Sequence, residues 1–223
     1  GCYVLPGFVD LHTHGIMEIS LDQGSLVDYA QRQFSFGVTA CVATYADTPD
    51  KMRKAFARAL AETDRLRRTP NVVGLRPEIM YVAKTGAGNP ESLVKISQRW
   101  TVQLWETAEG LIRIWDISPE LQGAVEFVHW ARERGIVTSI AHTSASAEQA
   151  RRAIDAGASL VTHFYCTFDA PVMQDLGVFP AGLTDYLLVE DRVTLELIPD
   201  GVHVHPDLVE KMYYYTGICR FYL

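Results

Sequence analysis

GIVTSIAHTSASAEQARRAIDAGASLVTH, running from Gly135 to His163, is the stretch whose reading decides the fold. Ile136-Val137-Thr138-Ser139-Ile140 is a short β-branched run and reads as a strand. Ser146-Ala147-Glu148-Gln149 then carries a capping-box pattern that opens a helix, and Gly157 closes it. Leu160-Val161-Thr162 is the next strand. Two strands joined by a helix of this length form a crossover unit, which makes the pair parallel. Each strand runs into a histidine, His142 after the first and His163 after the second.

Reading outward, the same alternation continues in both directions. On the N-terminal side, the spacing predicts a strand from Phe8 to His12 and a helix from Ser25 to Phe36 that stops at Gly37. A strand over Val38-Thr39-Ala40-Cys41-Val42-Ala43 follows. Thr48-Pro49 supplies a capping side chain and a preset first helical residue, and that helix extends to about Arg68 with Met52, Phe56 and Leu60 on one face. Val72-Val73-Gly74-Leu75 is a third strand ending close to Glu78. The region from Gly86 to Gly110 shows no clear pattern. Leu111-Ile112-Arg113-Ile114-Trp115 reads as a fourth strand, and a helix from about Glu120 to Arg134 leads into Gly135. Beyond His163, a long loop containing Pro and Gly precedes a strand from Val193 to Ile198, a helix from Pro206 to Tyr215, and Phe221-Tyr222-Leu223 as the start of an eighth strand. Seven strands and part of another, separated by helices, specify an α/β chain of the (β/α)8 TIM-type barrel class, incomplete at the eighth strand. The competing arrangement is an open doubly wound sheet. Neither GxGxxG nor a Walker-type loop follows a strand, so nucleotide binding has no support.

The 223 residues suit one domain covering positions 1–223, with 48% hydrophobic and 21% charged residues as expected of a full core. A formal net charge of -7 leaves no basic footprint, which points away from nucleic acid and towards a small-molecule ligand. Cys2, Cys41, Cys166 and Cys219 lack CxxC spacing, so neither a disulfide framework nor a thiolate zinc site is expected. They read as reduced thiols in a cytoplasmic protein. No apolar run reaches the roughly 18 residues of a membrane helix, and no membrane association or secretion leader is expected.

The chemistry lies at the ends of the strands. Side chains two apart on a strand point the same way, so His12 and His14 can reach one ion from a single strand. Barrel enzymes place their sites at the C-terminal ends of the strands, where His12, His14, Glu78, His142 and His163 all fall. These five suit one divalent metal, or two bridged by Glu78. Zinc fits the histidine-rich set, and iron, manganese or cobalt could also occupy it. Such a centre favours hydrolysis of an amide or related bond and needs a partner to move the proton. No convincing carboxylate for that role follows the seventh strand.

Leu5-Pro6-Gly7-Phe8-Val9-Asp10-Leu11-His12-Thr13-His14-Gly15 resembles the first-strand motif of the amidohydrolase superfamily. More narrowly, Ser118-Pro119-Glu120-Leu121, Ala141-His142-Thr143-Ser144-Ala145, Ala153-Ile154-Asp155-Ala156-Gly157-Ala158 and Asp200-Gly201-Val202-His203-Val204-His205-Pro206 resemble the N-acetylglucosamine-6-phosphate deacetylase family, in the same order over nearly the whole chain. The likeness implies a metal-dependent deacetylase acting on an N-acetylated amino sugar, with a homodimer as the expected assembly. It implies that Glu78, His142 and His163 are the core metal ligands, that His12 and His14 complete a second site, and that His203 contacts substrate; His205 receives no role. Cys166 and Thr167 stand where the family's asparagine and alanine touch the sugar, and Ala87, in Gly86-Ala87-Gly88, belongs to a stretch in which Gly88 replaces a loop histidine. Two other departures are Glu78-Ile79-Met80-Tyr81, where the family has Gly-Pro and an aromatic after the glutamate, and Gln174-Asp175-Leu176-Gly177, where it has a phosphate-holding arginine. The likeness also implies a flanking β-sandwich not included in these residues, and a catalytic aspartate just beyond Leu223. The 223 residues are accordingly expected to be a fragment. Other readings are a dihydroorotase-like or dipeptidase-like amidohydrolase, in which a carboxylated lysine takes the place of Glu78, and a non-catalytic metal-binding barrel.

Overall fold

The computed structural model describes residues 2–62, 70–173, 175–216 and 221–222. Its compact units are Gly1–Met80 with Ser97–Trp115, and Tyr81–Ile96 with Asp116–Leu223.

In the first unit, β1 (Phe8–Thr13) is followed by a small antiparallel hairpin of β2 (Gly15–Ile16) and β3 (Ile19–Ser20), then α1 (Leu26–Ser35), β4 (Val38–Tyr45), α2 (Pro49–Ala61), β5 (Val72–Pro77) and α3 (Gln98–Thr107). Ser25 accepts the N–H groups of Val27 and Asp28 and so starts α1. Gly37, at φ +82°, turns the chain directly into β4. The sheet order is β1-β4-β5, all parallel, with Asp10 opposite Cys41 and Ala43 opposite Leu75. Tyr29, Cys41, Ala43, Phe56 and Leu75 are fully buried around it.

Three expectations for this unit change. Thr48 makes no side-chain cap on α2, and the Asp47 carboxylate accepts the Thr48 N–H instead. Glu62 already sits at the C-cap of α2, so the helix ends at Ala61; the continuation expected towards Arg68 falls largely on residues 63–69, outside the described set. The patternless region holds α3, where Thr101 and Leu104 are the buried residues and Ser97 supplies the cap. Its inward stripe is too thin for helical periodicity to stand out.

The predicted fourth strand begins later than expected. Leu111 and Arg113 exchange backbone hydrogen bonds with Leu75, making an isolated parallel bridge at Ile112, and the regular strand β6 is Ile114–Ile117. In the second unit it leads into α4 (Ala124–Arg132), β7 (Val137–Ile140), α5 (Ala147–Ala156), β8 (Leu160–Val161), α6 (Leu183–Val189), β9 (Thr194–Glu196), α7 (Pro206–Thr216) and β10 (Phe221–Tyr222). The order is β10-β9-β8-β7-β6, and the registers across β7, β8, β9 and β10 are parallel. The Ser146 and Gln149 capping box is present as read. Helix α4 starts at Ala124 rather than at Glu120, because residues 118 to 123 form a turn that ends on Gly123 at φ +86°. The long loop holds the unpredicted α6, where Asp185 accepts the Gly182 N–H.

The chain is therefore α/β with parallel strands. Among the described residues these strands pair into a three-stranded and a five-stranded sheet, not the single closed ring that a complete (β/α)8 barrel requires. No described helix is long and apolar enough to cross a membrane.

Candidate metal centre

The first unit brings together two histidines and a glutamate. β1 carries His12, and His14 lies one residue past its end, so the two rings leave the same side of the chain. Their Nε2 atoms are 3.3 Å apart. Glu78 follows β5 directly, and its N–H donates to the Tyr45 carbonyl, which extends the β4 pairing to this residue. Its carboxylate is almost completely buried, with Oε1 3.5 Å from His12 Nε2 and Oε2 3.0 Å from His14 Nε2. Ligands about 2.0 to 2.1 Å from a tetrahedral ion stand roughly 3.3 Å from one another, so these separations have the scale of a coordination shell. The scaffold is fixed as well. Asp10 accepts the His12 N–H, and the fully buried Arg76 donates to the Leu11 carbonyl.

The second unit brings His142 and His163 together. Each lies two residues beyond a strand, and their Nε2 atoms are 3.2 Å apart with the rings edge-on. Both backbones leave the extended region, with φ +46° at His142 and +27° at His163. Tyr165 and Thr167 are also left-handed, at φ +75° and +63°. For residues other than glycine such conformations cost about 1 to 3 kcal/mol each and cluster at functional sites. Sequence periodicity does not reveal this kink, because the pattern only says that a strand stops.

The residues assigned to substrate form two small groups in this unit. Gly86, beside Ala87, has φ +56°, and a Cβ there would lie 2.9 Å from Thr167 Cγ2 and 3.1 Å from His142 Cε1. The 86–88 loop therefore rests against His142 and Thr167. Thr167 donates its hydroxyl to the Cys166 carbonyl, and Cys166 Sγ lies 4.0 Å from the His203 carbonyl oxygen. Burial pushes the Cys166 thiol pKa up. Asp200 accepts the N–H groups of His203 and Val202, and its Oδ2 lies 2.7 Å from His203 Nδ1. These contacts, led by the His203 N–H, hold the Asp200 carboxyl down to about 2. The ionised carboxylate can only accept, so Nδ1–H of His203 donates in this contact. His205 accepts the Asp207 N–H at the start of α7. Gln174 lies outside the described residues.

Sequence reading missed a buried chain next to His163. The Ser139 and Thr162 hydroxyls are 2.7 Å apart, and Thr162 donates to Asp116 at 2.7 Å, with all three residues fully buried. Polar residues within apolar strands were the available signal.

The profile of the amidohydrolase family matches residues 3–216. The chain belongs to the amidohydrolase family. The family is metal-dependent, and the structure holds a possible His/Glu metal site. Among similar proteins, the N-acetylglucosamine-6-phosphate deacetylase of Lysinibacillus sphaericus is 28% identical over 97% of this chain and 56% of the relative. The N-acetylgalactosamine-6-phosphate deacetylase of Escherichia coli O157:H7 is also 28% identical, over 90% of this chain and 54% of its own length. A crystal structure of N-acetyl-D-glucosamine-6-phosphate deacetylase from Mycobacterium smegmatis superposes with a TM-score of 0.83 at 28% identity, covering 97% of this chain and 56% of that one. This family member thus spans about half the length of the curated relatives it matches.

Proposed function

We propose that this chain carries the metal-binding part of a deacetylase that hydrolyses the N-acetyl amide of a hexosamine 6-phosphate. The observation behind this reading is the approach of two imidazole nitrogens and a buried carboxylate to 3.0–3.5 Å of one another, at the positions where the family resemblance expects ligands. In this proposal His12, His14, Glu78, His142 and His163 are the ligands of one divalent ion or of two, with zinc as the preferred occupant. When bound, a divalent ion would supply Lewis-acid polarisation of the amide carbonyl and a lowered pKa for the attacking water. His203, its ring fixed by Asp200, offers Nε2 to a sugar hydroxyl, and Cys166, Thr167 and Ala87 line the sugar. By the same resemblance, proton transfer belongs to an aspartate after Leu223, and the working assembly is a homodimer. The glucosamine and galactosamine relatives are equally similar in identity, so either epimer fits the reading.

The test uses the full-length protein carrying this sequence, loaded with zinc. Release of free amine is measured from N-acetylglucosamine and N-acetylgalactosamine, each with and without the 6-phosphate. Turnover of a 6-phosphate that is lost on chelation and restored by zinc is the expected result. Cleavage of a different amide, with all four sugars inert, would overturn the proposal.

A further inference from the structure

We propose that Ser118 and Glu120, assisted by Lys84, are positioning residues that lock the turn carrying His142, so that its imidazole is aimed before an ion arrives. The inference rests on the reading of His142 as a metal ligand. β7 ends at Ile140, and after the Ala141 N–H, which still donates to the Ile117 carbonyl of β6, the chain leaves the ladder. Side chains from elsewhere in the unit supply the partners. Ser118 Oγ lies 2.8 Å from the Ala141 carbonyl and 3.0 Å from the His142 carbonyl, so its proton is shared between them, and it accepts the Ala83 N–H at 2.7 Å. Glu120 accepts the Thr143 hydroxyl through Oε2 and the Ser144 N–H through Oε1, at 2.5 and 2.6 Å. Thr143 Oγ1 in turn accepts the Ala145 N–H at 2.8 Å. Lys84 donates to the Thr143 carbonyl at 3.2 Å while paired with Asp169.

Every residue from Ala141 to Ala145 is therefore held through at least one polar group, and the residue at the centre of the held segment has φ +46°. A sparsely populated backbone conformation persists only where its surroundings over-determine it. Ser118 is fully buried and Glu120 presents a charged acceptor, the stronger kind of hydrogen-bond partner. Ser118 and Glu120 both lie in the turn that precedes the start of α4 at Ala124. What Ser118-Pro119-Glu120 contributes is thus the shape of a neighbouring segment.

Metal-free protein and its Ser118→Ala, Glu120→Ala and Glu120→Gln variants are titrated with Co2+, following the visible absorption of the bound ion, and backbone amide exchange at Ser144 and Ala145 is measured before metal is added. Loss of partners that orient metal ligands typically weakens affinity about 10- to 100-fold. That loss is expected for the two alanine variants, with faster exchange at Ser144 and Ala145, and Glu120→Gln should fall between them and the parent. Unchanged Co2+ affinity despite faster exchange would overturn the positioning role. A His142→Ala control separates the two ideas: a Co2+ spectrum and affinity unaffected by that change would remove His142 from the ligand set and this inference with it. Glu120 is partly exposed, so its variants are expected to fold even if Ser118→Ala does not.

Discussion

Replacing Gly86 with alanine should damage the protein at one atom. The residue sits at φ +56°, where a side chain costs about 1 to 2 kcal/mol in backbone strain. The added methyl would also meet Thr167 Cγ2 at 2.9 Å, His142 Cε1 at 3.1 Å and His142 Nδ1 at 3.3 Å. Forcing a methylene-sized group into a filled site costs about 1 to 3 kcal/mol. The sum is about 2 to 5 kcal/mol, part of it relieved if the His142 ring rotates away. Gly110 provides the control, because its φ is +81° and nothing lies within 4 Å of its missing Cβ. Gly110→Ala should show the backbone cost alone, about 1 to 2 kcal/mol. Urea unfolding of both variants with metal chelated measures the two costs, and a Co2+ titration then reports whether the displaced ring still binds. If the two variants lose equal stability and Gly86→Ala binds Co2+ as the parent does, the 86–88 loop does not rest on His142 and the argument fails.

Other consequences can be checked as directly. Phe56 is fully buried and meets Tyr45 edge-on at 5.2 Å, so Phe56→Ala should cost about 3 to 5 kcal/mol in chemical unfolding. Thr162→Val strips Asp116 of a buried donor and should cost about 1 to 3 kcal/mol, whereas a neutral result would show that the hydroxyl chain contributes nothing net. Burial raises the Cys41 thiol from 9.0 to about 11. The unfolded chain then loses its proton first, so the contribution of this group to stability is complete below pH 9 and declines as pH rises from 9 towards 11. Unfolding midpoints across that window should fall less steeply in Cys41→Ala, and Cys41 should resist alkylation in the folded protein at pH 8 while the exposed Cys2 reacts.

The Ser146 and Gln149 capping box was readable because both of its hydrogen bonds are made within four consecutive residues. The crossover units around it were readable for a similar reason, since apolar strands and amphipathic helices each leave a local period. Where several weak signals had to be weighed, reading was poorer. Thr48-Pro49 announces α2, yet the Thr48 side chain makes no cap, and its N–H goes to the Asp47 carboxylate. α3 buries only Thr101 and Leu104, and α6, at 7 residues, is too short to show a period. The strand expected from Leu111 becomes regular only at Ile114, because Leu75 bridges Ile112 alone.

The sequence by itself determined which donor types are available and that each lies at or just beyond the end of an apolar run: His12 and His14 on one side of β1, Glu78 after β5, His142 after β7 and His163 after β8. Those are properties of neighbouring residues, set by the two-residue period of a strand and by where apolar runs stop. Tertiary structure alone decided that Glu78 approaches both His12 and His14, since this depends on the registers of β1 on β4 and of β4 on β5. It alone decided the left-handed backbones of His142 and His163, and the clamp of Ser118 and Glu120 on the first of them. Such strain is invisible in a linear pattern because the groups that stabilise it come from distant parts of the chain.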